Sequence, residues 1–148
     1  MRANAHLLGM VLILTASHGS LGGTPPAVAY SYGTIVNSCG PTDQVVMILV
    51  LTTRSLACNQ QPTEPHVSLM IDPGFTFPKT ITFPVKNRNG DARRCAGGTC
   101  EPVASGTIVL DQAVKKGIAG HYDLTFKEGD SAAGSFQIRR CSQKNVCW

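Results

Sequence analysis

Cys39, Cys58, Cys95, Cys100, Cys141 and Cys147 are the side chains of this 148-residue chain most suited to chemistry, and their number frames every other question. An even set of cysteines in a short exported chain reads as a disulfide framework, although spacing alone leaves fifteen connectivities for six sulfurs. Cys95 and Cys100 enclose only Ala96-Gly97-Gly98-Thr99 and are expected to pair with each other. For the others, the reading taken is Cys58 with Cys141 and Cys39 with Cys147. Four thiolates from the 95/100 and 141/147 spacings could instead hold zinc, but those spacings are looser than the usual zinc turns. No Cys-x-x-Cys motif supports thiol exchange. His121 lies two residues before Asp123, an arrangement that would suit a small hydrolase with an imidazole oriented by a carboxylate. No serine or cysteine stands in a nucleophile elbow to complete it. No catalytic residue, metal site or cofactor is therefore assigned.

Basic side chains gather at Lys86, Arg88, Arg93 and Arg94, and again at Arg139, Arg140 and Lys144. Folded together they could attract an anionic lipid, a glycan or an acidic protein surface. Arg88, Arg93 and Arg94, with the single tryptophan Trp148, are the candidate partner-binding residues. The overall charge is only +4 and few aromatics interleave with the basic residues, so a nucleic-acid platform is not indicated.

The elements that must position these residues begin after a leader. Met1 to His6 carries one basic residue, Arg2, and Leu7 to Ala16 is an apolar run, LLGMVLILTA. That is the pattern of a secretory signal peptide, and the run is too short for a membrane span of about twenty residues. Cleavage is expected between about residues 19 and 29, leaving one domain over residues 30–148 with no transmembrane segment. The expected location is secreted or periplasmic.

Beyond residue 30 the pattern is strand-like, with turn residues every few positions. Tyr30 to Val36, Gln44 to Thr52 and His66 to Ile71 read as strands, the second buried on both faces. Phe75 to Lys86 contains Pro78 and Pro84, which confine it to an edge or break it in two. Asn87 to Glu101 reads as a loop. Gly106 to Gln112, Ile118 to Phe126 and Ala132 to Arg140 form a three-stranded meander. Period-two alternation puts Ile108, Leu110, Tyr122, Leu124, Phe126, Phe136 and Ile138 on its inner face. Gly120 and Gly134 are expected to mark bulges or close backbone approach.

About seven short strands without a helical period imply an all-β fold. A small disulfide-stapled antiparallel β-sandwich is the preferred architecture, with a partly open β-barrel as the alternative. The run from Gly106-Thr-Ile-Val-Leu through Gly120-His-Tyr-Asp-Leu-Thr-Phe to Gly134-Ser-Phe and Cys141 resembles a pattern in exported bacterial β-sandwich proteins, often labelled lipoproteins of unknown function. The resemblance covers about the last forty residues, implies an envelope location and carries no catalytic residues. Unlike that pattern, this chain has no cysteine just after its apolar run. Two functions follow as expectations: a non-catalytic binding or envelope structural module, or a secreted inhibitor or effector that presents the loop 88–101 to a partner. The partner would be a protein, a glycan or an envelope component.

Overall fold

A computed structural model describes residues 27–39, 44–63, 65–84, 92–115 and 117–141. Eight strands follow one another along the chain: β1 (Tyr32–Cys39), β2 (Val45–Thr52), β3 (His66–Ile71), β4 (Lys79–Phe83), β5 (Arg93–Ala96), β6 (Thr99–Val114), β7 (Gly117–Phe126) and β8 (Ser131–Cys141). They form one sheet in the order β4-β6-β5-β3-β2-β1-β8-β7, and β7 pairs back onto β6. The all-β, disulfide-stapled expectation holds. The single sheet closes on itself as a seven-stranded barrel, however, in place of two packed sheets, and the barrel is closed, not partly open. Neighbouring strands are antiparallel except at the β1–β8 seam, where Tyr32 to Val36 run parallel to Gln137 to Cys141.

Closure explains the alternation. On β7, Ile118, Tyr122, Leu124 and Phe126 are buried, whereas His121 and Asp123 are exposed. The inward positions of β2 and β3 add Leu49, Leu51, Val67 and Leu69, each at most 1% exposed, so side chains fill the barrel. All seven side chains expected on the inner face of the meander are buried. β2, expected to be buried on both faces, is so at Val46 and Met47 and at Leu51 and Thr52, whereas in the middle of the strand the outward Ile48 and Val50 are only half-covered.

Room inside is made by glycine under aromatic rings. Tyr122 on β7 stands opposite Gly134 on β8, and Gly120 stands opposite Phe136, so each ring covers a cross-strand glycine. A Cβ at Gly120 would lie 2.7 Å from Phe136 Cε2, and one at Gly134 would lie 3.1 Å from the Tyr122 hydroxyl. The two rings stack with centroids 6.3 Å apart. These glycines mark close approach; the irregularities fall instead on β6, between Val103 and Ser105 and between Leu110 and Gln112. Gly106, at φ +121°, lies just beyond the first of them. The bend lets β6 pair with β5 through its first residues and with β4 further along the same edge.

β4 is a single short strand between Pro78 and Pro84, and among the described residues it pairs only with β6. The segment expected to be a loop, 87–101, is a correction. Its described part is a hairpin, β5 with the start of β6, turning on Gly97 and Gly98 with φ of +59° and +80°. Two adjacent positive φ values are what a two-residue type I′ turn needs to match strand twist, and Gly-Gly supplies them without steric cost. Glycine in a short disulfide-closed segment therefore marks the hairpin tip.

Two of the expected disulfides are present. Cys95–Cys100 bridges directly opposed residues of the β5–β6 hairpin, with Cα atoms 4.1 Å apart. Cys58–Cys141 ties the β2–β3 connection to the end of β8 with Cα atoms 5.5 Å apart. Cys39 is also disulfide-bonded, and its expected partner Cys147 lies outside the described residues. No helix among the described residues is long and apolar enough to cross a membrane.

Candidate functional site at the barrel mouth

The strand directions bring four features to one end of the barrel: Tyr30 before β1, the β2–β3 connection, the β5–β6 turn and the β7–β8 turn. Register then decides which hairpin side chains face in. Arg94 stands between Val67 and Glu101, and Val67 belongs to the buried core, so Arg94 and Glu101 share the inward face. Cys95 and Cys100 occupy the opposite face.

The Arg94 guanidinium is held from three sides. Its Nε donates to Glu101 Oε1 at 2.6 Å, a second nitrogen pairs with the same carboxylate, and Nη1 lies 3.1 Å from Asp130 Oδ2. The cation also sits over the Phe126 ring, 4.1 Å from its centroid. Burial works against the charge, but the hydrogen bonds to Glu101 and Asp130 outweigh it and raise the Arg94 pKa above its ordinary value. Asp130 is delivered by the β7–β8 turn, where the Phe126 N–H donates to the Asp130 carbonyl and Gly129 adopts φ +89°.

Two tyrosines line the interior nearby. The Tyr30 N–H donates to the Tyr122 hydroxyl at 2.7 Å, and the rings meet edge to face with centroids 6.0 Å apart. Burial raises the pKa of both phenols; for Tyr30 the Arg94 cation works in the opposite direction. The Tyr30 hydroxyl is buried without a hydrogen-bond partner among the described residues.

Outside this charged plug lies a cleft of about 550 Å³ between Thr99–Pro102 of the hairpin and Lys127–Glu128 of the turn, with Arg94 and Ala96 completing its lining. The cleft walls are preorganised. The hairpin is clamped by Cys95–Cys100, and the Thr99 hydroxyl donates to the Ala96 carbonyl across the tip.

The candidate residues are thus dispersed. Arg93 is exposed on β5, whereas Arg94 lines the cleft with its charge paired to Glu101 and Asp130. Arg88 and Trp148, with Lys86 and Lys144, lie outside the described residues. The His121–Asp123 pair does not form: His121 Nδ1 lies 3.0 Å from Asp111 Oδ2 on the neighbouring strand, with both side chains about half exposed. The bulge after Leu110 brings Asp111 into reach. The sulfurs of Cys95, Cys100 and Cys141 are committed to disulfides, so a zinc set built on them does not form.

Sequence reasoning missed Glu101 and Asp130. The signal for Glu101 was present, since pairing Cys95 with Cys100 across a two-residue turn fixes Arg94 opposite Glu101. Comparison with protein-family models, curated proteins and solved structures finds no match to this chain.

Proposed function

We propose that this protein is an exported, non-catalytic binding module that holds a macromolecular partner at the cleft between the β5–β6 hairpin and the β7–β8 turn. The observation that carries this reading is the clamped hairpin. A disulfide between directly opposed strands fixes a glycine tip whose Gly97, Gly98, Thr99 and Cys100 are all exposed beside the cleft. A loop ordered before binding loses little entropy on capture, whereas a free loop costs about 0.5–1.5 kcal/mol for each side chain immobilised. The interior is filled with side chains, so contact with a partner falls on the outside of the barrel. The disulfides support delivery to an oxidising compartment, secreted or periplasmic, in keeping with the apolar run at Leu7 to Ala16.

The test is affinity capture from culture medium and envelope extract under non-reducing conditions. A specific partner should be retained by the native chain and by His121→Ala. It should be lost by the Lys127→Glu variant and by the Cys95→Ser/Cys100→Ser double variant. Retention by both cleft variants would place the contact elsewhere and sink the proposal.

A further inference from the structure

A second recess lies on the outer wall and shares no residue with the cleft. On its way to β3 the β2–β3 connection is tied to the end of β8 by the Cys58–Cys141 disulfide. Ser55 of this strap, Tyr32 and Gly33 of β1, Gln137 to Arg139 of β8, and Val114 and Gly117 of the β6–β7 hairpin enclose about 280 Å³. That is near the low end of the roughly 300–1,000 Å³ usual for small-molecule sites, a size for one ring.

The lining has a definite chemical character. Tyr32 is 46% exposed and Val114 37%, two of the four large hydrophobic side chains exposed among the described residues. Tyr32 stands beside Gln137 in the parallel seam, and Arg139 lies two residues along the same strand. Arg139 is exposed and makes no ion pair among the described residues, in contrast to Arg94. Among the described residues no aspartate or glutamate lines the recess, while Arg54 directly precedes and Lys115 directly follows a lining residue. Arg54 donates from Nε to the Thr63 hydroxyl.

We propose that this recess binds an acidic sugar: a single pyranose ring bearing a carboxylate, as a unit of an anionic glycan. The apolar C–H face of a pyranose lies against the Tyr32 ring, whose amphipathic surface suits a half-wet contact. The Arg139 fork receives the carboxylate in two parallel hydrogen bonds, geometry that lysine lacks. Gln137 and Ser55 supply the amide and hydroxyl partners for ring hydroxyls. The apolar groups line the walls of a recess and are not a projecting tip, which favours a ring over a flat lipid surface.

Calorimetric titration with a galacturonate trimer and with sialyllactose, each beside its carboxyl methyl ester, tests the proposal on the full chain. At least one acid should bind, with its ester about tenfold weaker, a loss of about 1.4 kcal/mol. Arg139→Gln and Tyr32→Ala should each cost about tenfold or more, and Arg139→Lys should cost less than Arg139→Gln. Both side chains are exposed, so unchanged thermal unfolding confirms that the variants remain folded. Absence of binding by both acids, equal binding of the esters, or indifference to Tyr32→Ala would overturn it. Sedimentation with phosphatidylserine vesicles that depends on Tyr32 and Arg139, without sugar binding, would assign the recess to a membrane surface instead. Failure here leaves the cleft proposal standing, because the partner-capture variants lie elsewhere.

Discussion

The β6–β8 wall and the β5–β6 mouth share antiparallel pairing and a common interior, yet they fill that interior by opposite means. In the wall, inward positions are apolar and space is tuned by setting Tyr122 over Gly134 and Phe136 over Gly120. At the mouth the inward positions are Arg94 and Glu101, and space is filled by a cation held between two carboxylates and an aromatic face. The wall gains from removing apolar surface from water, at roughly 25 cal/mol per Å². The mouth must first offset the desolvation of charge, and it depends above all on the Arg94–Glu101 pair. In the wall the stabilisation is spread over many apolar contacts, and at the mouth it rests on one charged pair.

The largest expected effect separates the two regions directly. Arg94→Ala leaves the part-buried Glu101 without its cation and should lower unfolding free energy by about 2–3 kcal/mol in denaturant titration, with Asp130 adding little because it is mostly exposed. A loss below about 1 kcal/mol would show that the plug is solvated and no different from a surface pair. Next, Gly120→Ala should cost about 2 kcal/mol by overpacking against Phe136 and the Val109 carbonyl. Gly134→Ala meets only the edge of Tyr122 and should cost less than half as much; equal losses would dissolve the distinction between the two glycines.

Tyr30→Phe should raise stability by up to about 1 kcal/mol, since it removes a buried hydroxyl that has no partner among the described residues. The smallest effect is one of pH. Both buried phenols have pKa values raised above 10.0, so between the unfolded and folded values the native state holds more protons than the unfolded chain. Stability from this source is complete below pH 10 and declines as pH rises through the folded values. Equilibrium unfolding at a series of alkaline pH values should show that decline, and it should be shallower in Tyr30→Phe.

The meander was legible because its inward positions are apolar. Ile108, Leu110, Tyr122, Leu124, Phe126, Phe136 and Ile138 announce their face by alternation alone. The hairpin was not, since Arg94 and Glu101 occupy inward positions and invert the rule, so a strand there reads as a polar loop. Closure was also hidden. A sandwich and a barrel place the same residues inside, and what separates them is the parallel β1–β8 pairing, which joins residues about a hundred apart without a local mark. Among site residues, Asp111 came within reach of His121 only through a bulge that no residue type signalled. The cysteine arithmetic implied disulfides but left fifteen connectivities open, so the Cys58–Cys141 bridge, though expected, was not dictated by spacing. The recess beside its strap depends on where the connection crosses the wall.

The β1–β8 seam also orders events in time. Its two strands are the first and last of the described fold, so the sheet can form by hairpins as the chain emerges but cannot become a cylinder until β8 is present. Until then β1 and β7 each expose an unsatisfied edge. The oxidation of Cys58 with Cys141 then acts as a latch across the finished seam, turning a reversible docking of termini into a covalent one.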